Sequence, residues 1–434
     1  MSCKALLLSA IASGQGKTTV TAALARKLAR AGQRVRVFKT GPDFIDPMLL
    51  AAASGSCVDV LDLWMCTEAQ CHALLAEAAR ECDYLLIEGV MGLYDGQPSS
   101  ADLARHFGVP VLAVLDCSAM VGTALAIARG LRDHGQLPWA GMLANRVASP
   151  GHADMIRACG TAELPVVGHL PRQAESHPER HLGLHLPSEL PDLAARLDAL
   201  ADALQLDDAV LASLPEFAPA PQTQPALPPL LAGKTIAIAR DAAFAFLYAA
   251  NLRTLTGMGA TLAFFSPLAD EAIPAGADAV WLPGGYPELH AATLAGNQRW
   301  QHSVQAFAAS GKPLWAECGG MMALTESLTD TDGHSHTMAG VLPGSVCMGK
   351  KLAALGSQGW PHAAGELRGH TFHYSSFDTP LAPLAHCQRK DGRAGGEAVY
   401  RHGSVQASYF HAYFASNPAA AAALLLPPCG AAPC

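Results

Sequence analysis

The chain has 434 residues, half of them hydrophobic and 15% charged, with a formal net charge of −8. A length of that order holds two or three domains of about 150 residues, and the balance excludes a disordered chain. The acidic total argues against wholesale nucleic-acid binding, which shows as a basic footprint, and forty glycines without a Gly-x-y period exclude collagen.

Twelve cysteines are scattered with no Cys-x-x-Cys pair, so neither a zinc ribbon nor a thioredoxin-type redox site is expected. Several sit inside apolar segments, as Cys117 does after Val114-Leu115-Asp116, where a reduced thiol packs as a small hydrophobe. This reads as a reducing cytoplasm. No apolar run reaches the roughly 18 residues of a membrane span, and the nearest, 109–128, contains Asp116. Neither nucleic acid nor membrane is an expected partner, and a homodimer is left open.

In chain order, Ala5–Ala10 is a short apolar strand that runs into Ser13-Gly14-Gln15-Gly16. A helix starts at Lys17, with Val20, Leu24 and Leu28 on one face, and ends before Gly32. Arg34–Phe38 alternates and reads as a strand nearer an edge. Tyr84–Ile87, Val111–Leu115 and Gly141–Ala144 are apolar throughout, as strands covered on both faces are, which predicts a parallel α/β sheet. Proline-rich text from Leu214 to Pro229 reads as an extended connector. A second α/β pattern follows, with strands at Thr235–Ala239, Ala279–Leu282 and Pro313–Ala316. The expected organisation is a phosphate-loop domain over 1–205, a linker over 206–233, a second α/β domain over 234–426 and a tail over 427–434. A helix is expected after Pro418.

Ser13 to Thr19 lies between a strand and a helix, the context a phosphate-binding loop requires. Small residues let the backbone N–H groups of Gly14, Gln15 and Gly16 converge on phosphate oxygens. Lys17 adds a mobile charge, Thr18 offers a hydroxyl to Mg²⁺, and Thr19 continues the helix N-terminus. Ile11 stands where the widest form of the motif has glycine. A metal-binding acid belongs at a neighbouring strand end, and Glu88 directly follows Leu85-Leu86-Ile87. Asp43 and Asp46, in Lys39-Thr40-Gly41-Pro42-Asp43-Phe44-Ile45-Asp46, fit either a ligand-facing loop or a simple turn. Asn145 ends another strand and is either a base-reading amide or a turn former.

Cys318 sits between the strand 313–316 and Gly319-Gly320. A sharp strand-to-helix turn there exposes a thiol near a helix N-terminus, a position expected to lower its pKa. The N–H of Gly319 can then serve an oxyanion hole, with Gly285, in Leu282-Pro283-Gly284-Gly285, as a second donor. The base this thiol needs is expected to be His411.

Taken together these residues resemble the cobyrinic acid a,c-diamide synthase family, known in aerobic bacteria as hydrogenobyrinic acid a,c-diamide synthase. The resemblance runs over nearly the whole chain. It rests on 13–19, on Phe-Lys-Thr-Gly-Pro-Asp-Phe-Ile-Asp-Pro (38–47) and on Glu-Gly-Val-Met-Gly-Leu-Tyr-Asp-Gly (88–96). Pro-Glu-Arg-His-Leu-Gly-Leu (178–184) and Ala-Glu-Cys-Gly-Gly-Met-Met (316–322) complete it. It implies an N-terminal domain similar to dethiobiotin synthetase and a C-terminal class I glutamine amidotransferase-like domain. It further implies ATP, glutamine and Mg²⁺, and a corrinoid whose a and c acetate groups are amidated through acyl phosphates. Lys17, Thr18 and Glu88 would then serve ATP and Mg²⁺, and Asn145 the adenine. Asp43, Phe44 and Asp95 would line the corrinoid and acyl-phosphate site, and Cys318 would attack glutamine with His411 raising its nucleophilicity. Related ligases on other side chains or on a nickel tetrapyrrole share much of this pattern. An ATPase switch of the chromosome-partitioning type carries lysine where this chain has Ala12.

Two positions depart from the family's pattern. Related amidotransferases often carry His-x-Glu, and here Tyr413 holds the third place. Thr371 stands where family members tend to have Glu in Gly-His-Glu-Phe-His-Tyr-Ser.

Overall fold

A computed structural model describes residues 2–173, 179–180, 183–184, 186–222 and 226–427. Part of the 178–184 motif and nearly all of the expected tail lie outside the described residues. The chain divides into two compact units, Met1–Gln224 and Pro225–Cys434.

The first unit alternates strands and helices: β1 (Cys3–Ser9), α1 (Lys17–Arg30), β2 (Val35–Lys39), α2 (Ile45–Ser54), β3 (Asp59–Val60), α3 (Glu68–Glu81), β4 (Tyr84–Glu88) and α4 (Ser100–Phe107). It continues with β5 (Val111–Asp116), α5 (Gly122–Gly135), β6 (Trp139–Val147), α6 (Pro150–Ala158) and β7 (Val166–Pro171). From β7 through β6, β5, β1, β4 and β2 to β3 the neighbours are parallel. β2 lies one strand in from the edge, which accounts for its alternation. The period of two along a strand explains the unbroken apolar runs. In β5, Leu112 and Val114 enter a core shared with Val20, Leu24 and Leu28 of α1, while Ala113 and Leu115 enter another with α5 and α6.

The first part of the stretch read as a linker, through 217, is built into this unit, so the first domain ends later than 205, while the division between the units at 224/225 falls inside that stretch. After β8 (Glu179–Arg180), β9 (Gly183–Leu184), α7 (Leu193–Ala203) and β10 (Gln205–Leu206) come α8 (Asp208–Ser213) and β11 (Glu216–Phe217). Asp207 caps α8 by accepting from the N–H groups of Ala209 and Val210, as Asp does at a helix start. Leu211 and Leu214 are buried in the α1 core, and β11 pairs antiparallel with β1. Two buried leucines outweigh the extended preference of the prolines that follow them.

The second unit opens with β12 (Thr235–Ala239), α9 (Ala249–Gly257), β13 (Thr261–Phe265), β14 (Ala279–Leu282), α10 (Ala291–Gly296), α11 (Gln298–Ala309), β15 (Leu314–Glu317) and α12 (Gly319–Met322). A run of strands follows: β16 (Ser327–Thr329), β17 (Ser335–Thr337), β18 (Ser345–Met348), β19 (Ala354–His362), β20 (Gly365–His373), β21 (Ser375–Asp378), β22 (Ala385–His386), β23 (Gln388–Arg389), β24 (Ala398–His402), β25 (Val405–Ser408) and β26 (His411–Ala412). The helix α13 (Pro418–Leu424) starts where Pro418 predicts it.

The main sheet runs β13-β12-β14-β15-β25-β24-β22, and a smaller one runs β23-β19-β20-β26. The same two-sided burial recurs here. Val280 and Leu282 of β14 face one core, and Ala279 and Trp281 the other. Among the described residues no helix is long and apolar enough to cross a membrane.

Trp300 of α11 is 1% exposed, with its ring 6.3 Å from that of Phe244. Trp300→Ala leaves a void the surroundings fill only in part, which should lower stability by about 3–5 kcal/mol. A clear drop in the urea midpoint checks this.

Candidate active site

In the first unit the chemistry gathers at the carboxyl ends of β1, β2, β4, β5 and β6, where open α/β sheets bind ligands. Gly16 takes φ 84°, a left-handed conformation that glycine adopts without strain. A side chain there would collide with the amide of Asn145. That amide donates to the Gln15 carbonyl at 2.9 Å, and its oxygen accepts from Arg146 N–H. Gln15 in turn accepts from Asp116 N–H. Asn145 thus braces the loop, a part the sequence did not indicate. It also borders a cavity of about 360 Å³ lined by Gly16, Thr19, Arg146, Arg172 and Leu197.

Lys17 rests its ammonium on the carbonyls of Ala12 (2.9 Å) and Met91 (2.6 Å). Burial lowers its pKa, and the neighbouring Lys39 lowers it further. Thr18 Oγ1 lies 2.7 Å from Glu88 Oε1 and 3.2 Å from Asp46 Oδ2. Lys39, the last residue of β2, donates to the same two oxygens at 2.7 and 2.8 Å, and Asp43 is 3.9 Å away. Glu88 is wholly buried, and burial raises its pKa against the pull of Lys39. Its other oxygen, Oε2, is buried with no hydrogen-bond partner. A hydroxyl and two carboxylates with a spare oxygen are the hard donors a small divalent cation takes.

Asp43 accepts from the N–H groups of Ile45 and Asp46 at the start of α2. Phe44 is the residue before that helix, and Asp95 closes the 92–95 turn by accepting from Gly92 N–H. Lys39 and Asp46 are the functional candidates that motif reading left without a role. The available signal was a lysine ending a strand beside an acid ending the next.

In the second unit Cys318 directly follows β15 with φ 45° and ψ −108°, a strained turn for a residue with a side chain. Its N–H donates to the Ser408 carbonyl at 2.7 Å, tying the turn to β25. The thiol pKa is pushed up rather than down, by burial first and then by the Glu288 and Glu397 carboxylates. This corrects the expectation of a lowered pKa. The helix behind the thiol is only four residues long, too short for its dipole to offset burial.

The structure brings the expected partners to this turn. A Cβ on Gly319 would meet Gly285 N at 3.0 Å, and one on Gly284 would strike the His411 imidazole. His411 is buried, and burial, with His370 and His373 nearby, holds its pKa well below the usual value. It is therefore neutral at neutral pH. His370 stacks on it at 5.0 Å and 17° and is itself pushed down to about 3 by burial. Tyr248 OH meets His370 Nδ1 at 3.2 Å, and Tyr413 packs edge-on against Tyr248. So the third place of the His-x-Glu pattern holds an aromatic wall. Thr371 Oγ1 donates to Glu397 Oε1 at 3.0 Å, and His373 Nε2 meets the same oxygen at 3.1 Å. Thr371 and His373 thus share one carboxylate oxygen of Glu397.

Glu317, next to the thiol, is fully buried. Its Oε1 accepts from Trp315 Nε1 at 2.7 Å and from Ala412 N–H at 3.2 Å, linking the nucleophile's strand to the strand of His411. Burial raises its pKa from 4.5 to about 8. Between those values the folded protein holds a proton the unfolded chain has released, so stability falls as pH rises across that window. Glu317→Gln keeps the acceptor and loses the ionisation. Its stability relative to the parent should grow from pH 4.5 to about 8 and then level off, gaining up to a few kcal/mol at about 1.4 per pH unit. Urea titrations across that range test this, and a flat difference would contradict it.

Comparison with known proteins agrees with both halves. Residues 6–184 match the CobQ/CobB/MinD/ParA nucleotide binding domain, and residues 235–419 match the CobB/CobQ-like glutamine amidotransferase domain. The chain is 55% identical over 431 residues to a cobyrinate a,c-diamide synthase of Herminiimonas arsenicoxydans, covering 98% of this chain and 97% of the relative. It is 55% identical over 430 residues to a hydrogenobyrinate a,c-diamide synthase of Pseudomonas aeruginosa, covering 98% of each. A Rhodobacter capsulatus protein of the latter name is 44% identical over 435 residues, covering 94% of this chain and 98% of its own. With relatives this similar along essentially their full length, the chain belongs to the cobyrinate/hydrogenobyrinate a,c-diamide synthase family.

Proposed function

We propose that this protein uses ATP and glutamine to amidate the a and c acetate carboxylates of cobyrinic or hydrogenobyrinic acid, a step of cobalamin biosynthesis. The observation that carries the reading is the pairing of two machineries in one chain. The glycine loop before α1 stands over a set of oxygen donors from Thr18, Glu88 and Asp46 in the first unit, and in the second the Cys318 turn packs on the 284–285 glycine pair, whose Gly284 lies against the neutral His411 imidazole.

A carboxylate is a poor electrophile because attack must add negative charge to an anion. Transfer of the terminal phosphoryl group of ATP to a carboxylate oxygen gives an acyl phosphate and ADP. The N–H groups of Gly14 to Thr19 and the Lys17 ammonium hold the phosphates. The cavity beside Asn145 takes the base. Thr18, Glu88 and Asp46 fit Mg²⁺, whose bound charge would offset that of the phosphates. Asp43, Phe44 and Asp95, on the loops around them, face the carboxylate substrate.

In the second unit the thiol rests protonated, so His411 must take its proton as sulfur attacks the amide carbon of glutamine. The N–H groups of Gly285 and Gly319 receive the developing oxyanion. The imidazolium returns the proton to the leaving nitrogen, which departs as uncharged ammonia, and water releases glutamate from the thioester. Ammonia then displaces phosphate from the acyl phosphate and leaves the amide.

Incubation with ATP, Mg²⁺, glutamine and either corrinoid acid, followed by mass spectrometry, should show two carboxyls converted to amides. Absence of any amide on both substrates would end the proposal. Cys318→Ala should abolish glutamine-dependent synthesis and leave ammonia-dependent synthesis within a few-fold, and loss of both would make the thiol structural. Lys17→Ala should lower synthesis by about 10²-fold or more while glutaminase activity persists. An unchanged synthetic rate would remove Lys17 from the mechanism.

A further inference from the structure

The carboxylate set of the first unit already holds a cation. Lys39 Nζ is 2.7 Å from Glu88 Oε1, 2.8 Å from Asp46 Oδ2 and 3.9 Å from Asp43 Oδ2. The first two of these oxygens are the ones Thr18 Oγ1 approaches. Lys39 is 3% exposed, and Glu88 is not exposed at all. Three carboxylates face this ammonium, while the other lysine of the site, Lys17, is spent on backbone carbonyls. The carboxylates keep Lys39 charged against its burial.

We propose that Lys39 is a built-in counter-cation that competes with the divalent metal for Glu88 and Asp46. The inference rests on the metal assignment made above and deepens it. A divalent ion shared by Thr18, Glu88 and Asp46 would sit about 2.1 Å from their oxygens. An ammonium held within hydrogen-bond distance of the same atoms occupies that space, and two cations there repel each other. Metal entry therefore requires Lys39 to leave. It can leave at little cost only when a new anion receives it, and the nucleotide's phosphates are such an anion. Metal alone should bind weakly, and metal with nucleotide tightly. The residue that makes the two interdependent is Lys39. Without such a cation, three closely set carboxylates, Glu88 fully buried, would repel one another.

Mn²⁺ binding followed by electron paramagnetic resonance on the full chain tests this. Lys39→Met should bind Mn²⁺ without nucleotide at least about tenfold more tightly than the parent, since the competitor is gone. The further gain on adding a non-hydrolysable ATP analogue should shrink. Removal of the cation should also make thermal stability depend on metal, with Mn²⁺ raising the melting temperature of the variant more than that of the parent. Lys39→Gln keeps an N–H donor for the carboxylates and serves if the methionine variant does not fold. The gained affinity must vanish in Lys39→Gln/Glu88→Gln. Equal or weaker Mn²⁺ binding in both Lys39 variants overturns the counter-cation role. If Glu88→Gln alone binds Mn²⁺ with the analogue as the parent does, the metal assignment itself fails and takes this inference with it.

Discussion

A parallel strand that turns sharply into a helix presents its last residue, and the N–H groups after it, at the carboxyl edge of the sheet. Both chemistries of this protein depend on that constraint. In the first unit the turn after β1 points backbone N–H groups outward, while Lys39 and Glu88 arrive at the ends of β2 and β4. In the second the turn after β15 places Cys318 in a strained conformation with Gly285 against Gly319. Two-sided burial of each strand makes these ends rigid. A side chain at the edge is therefore held by the whole core beneath it.

Burial then sets the protonation states, and it acts in opposite senses in the two sites. Around β4 it collects acids that must be balanced by a cation, and the protein supplies Lys39. Around β15 it removes charge instead. The thiol is held protonated, His411 and His370 neutral, and Glu317 titrates near 8. Neither group carries a charge that burial would penalise. His370, backed by Tyr248 and Tyr413, stacks on His411 at a place where a carboxylate would favour the protonated imidazole.

The glycine loop between β1 and α1, the acid ending β4 and the sharp turn at Cys318 were legible because each is a short-range pattern whose geometry is set within a few residues. The strand and helix pattern was legible for the same reason, since period and burial are local properties. Three things were not. The end of the first domain was set too early because Leu211 and Leu214 find their partners on α1, nearly 200 residues earlier in the chain. The thiol's pKa was misjudged because a dipole argument is local, whereas burial and the carboxylates of Glu288 and Glu397 come from elsewhere in the fold. Glu397 escaped notice because it meets Thr371 and His373 across loops and carries no motif of its own.

By itself, then, the order of residues determined the two α/β patterns, the glycine loop between β1 and α1, the sharp turn at Cys318 and the family. These follow from backbone conformation and hydrophobic period, which neighbours along the chain impose. Tertiary structure alone decided which charges meet. Lys39 reaches Glu88 across 49 positions and Glu317 reaches Ala412 across 95. Electrostatic energy depends on distance and burial in space, and neither can be read from separation along the sequence.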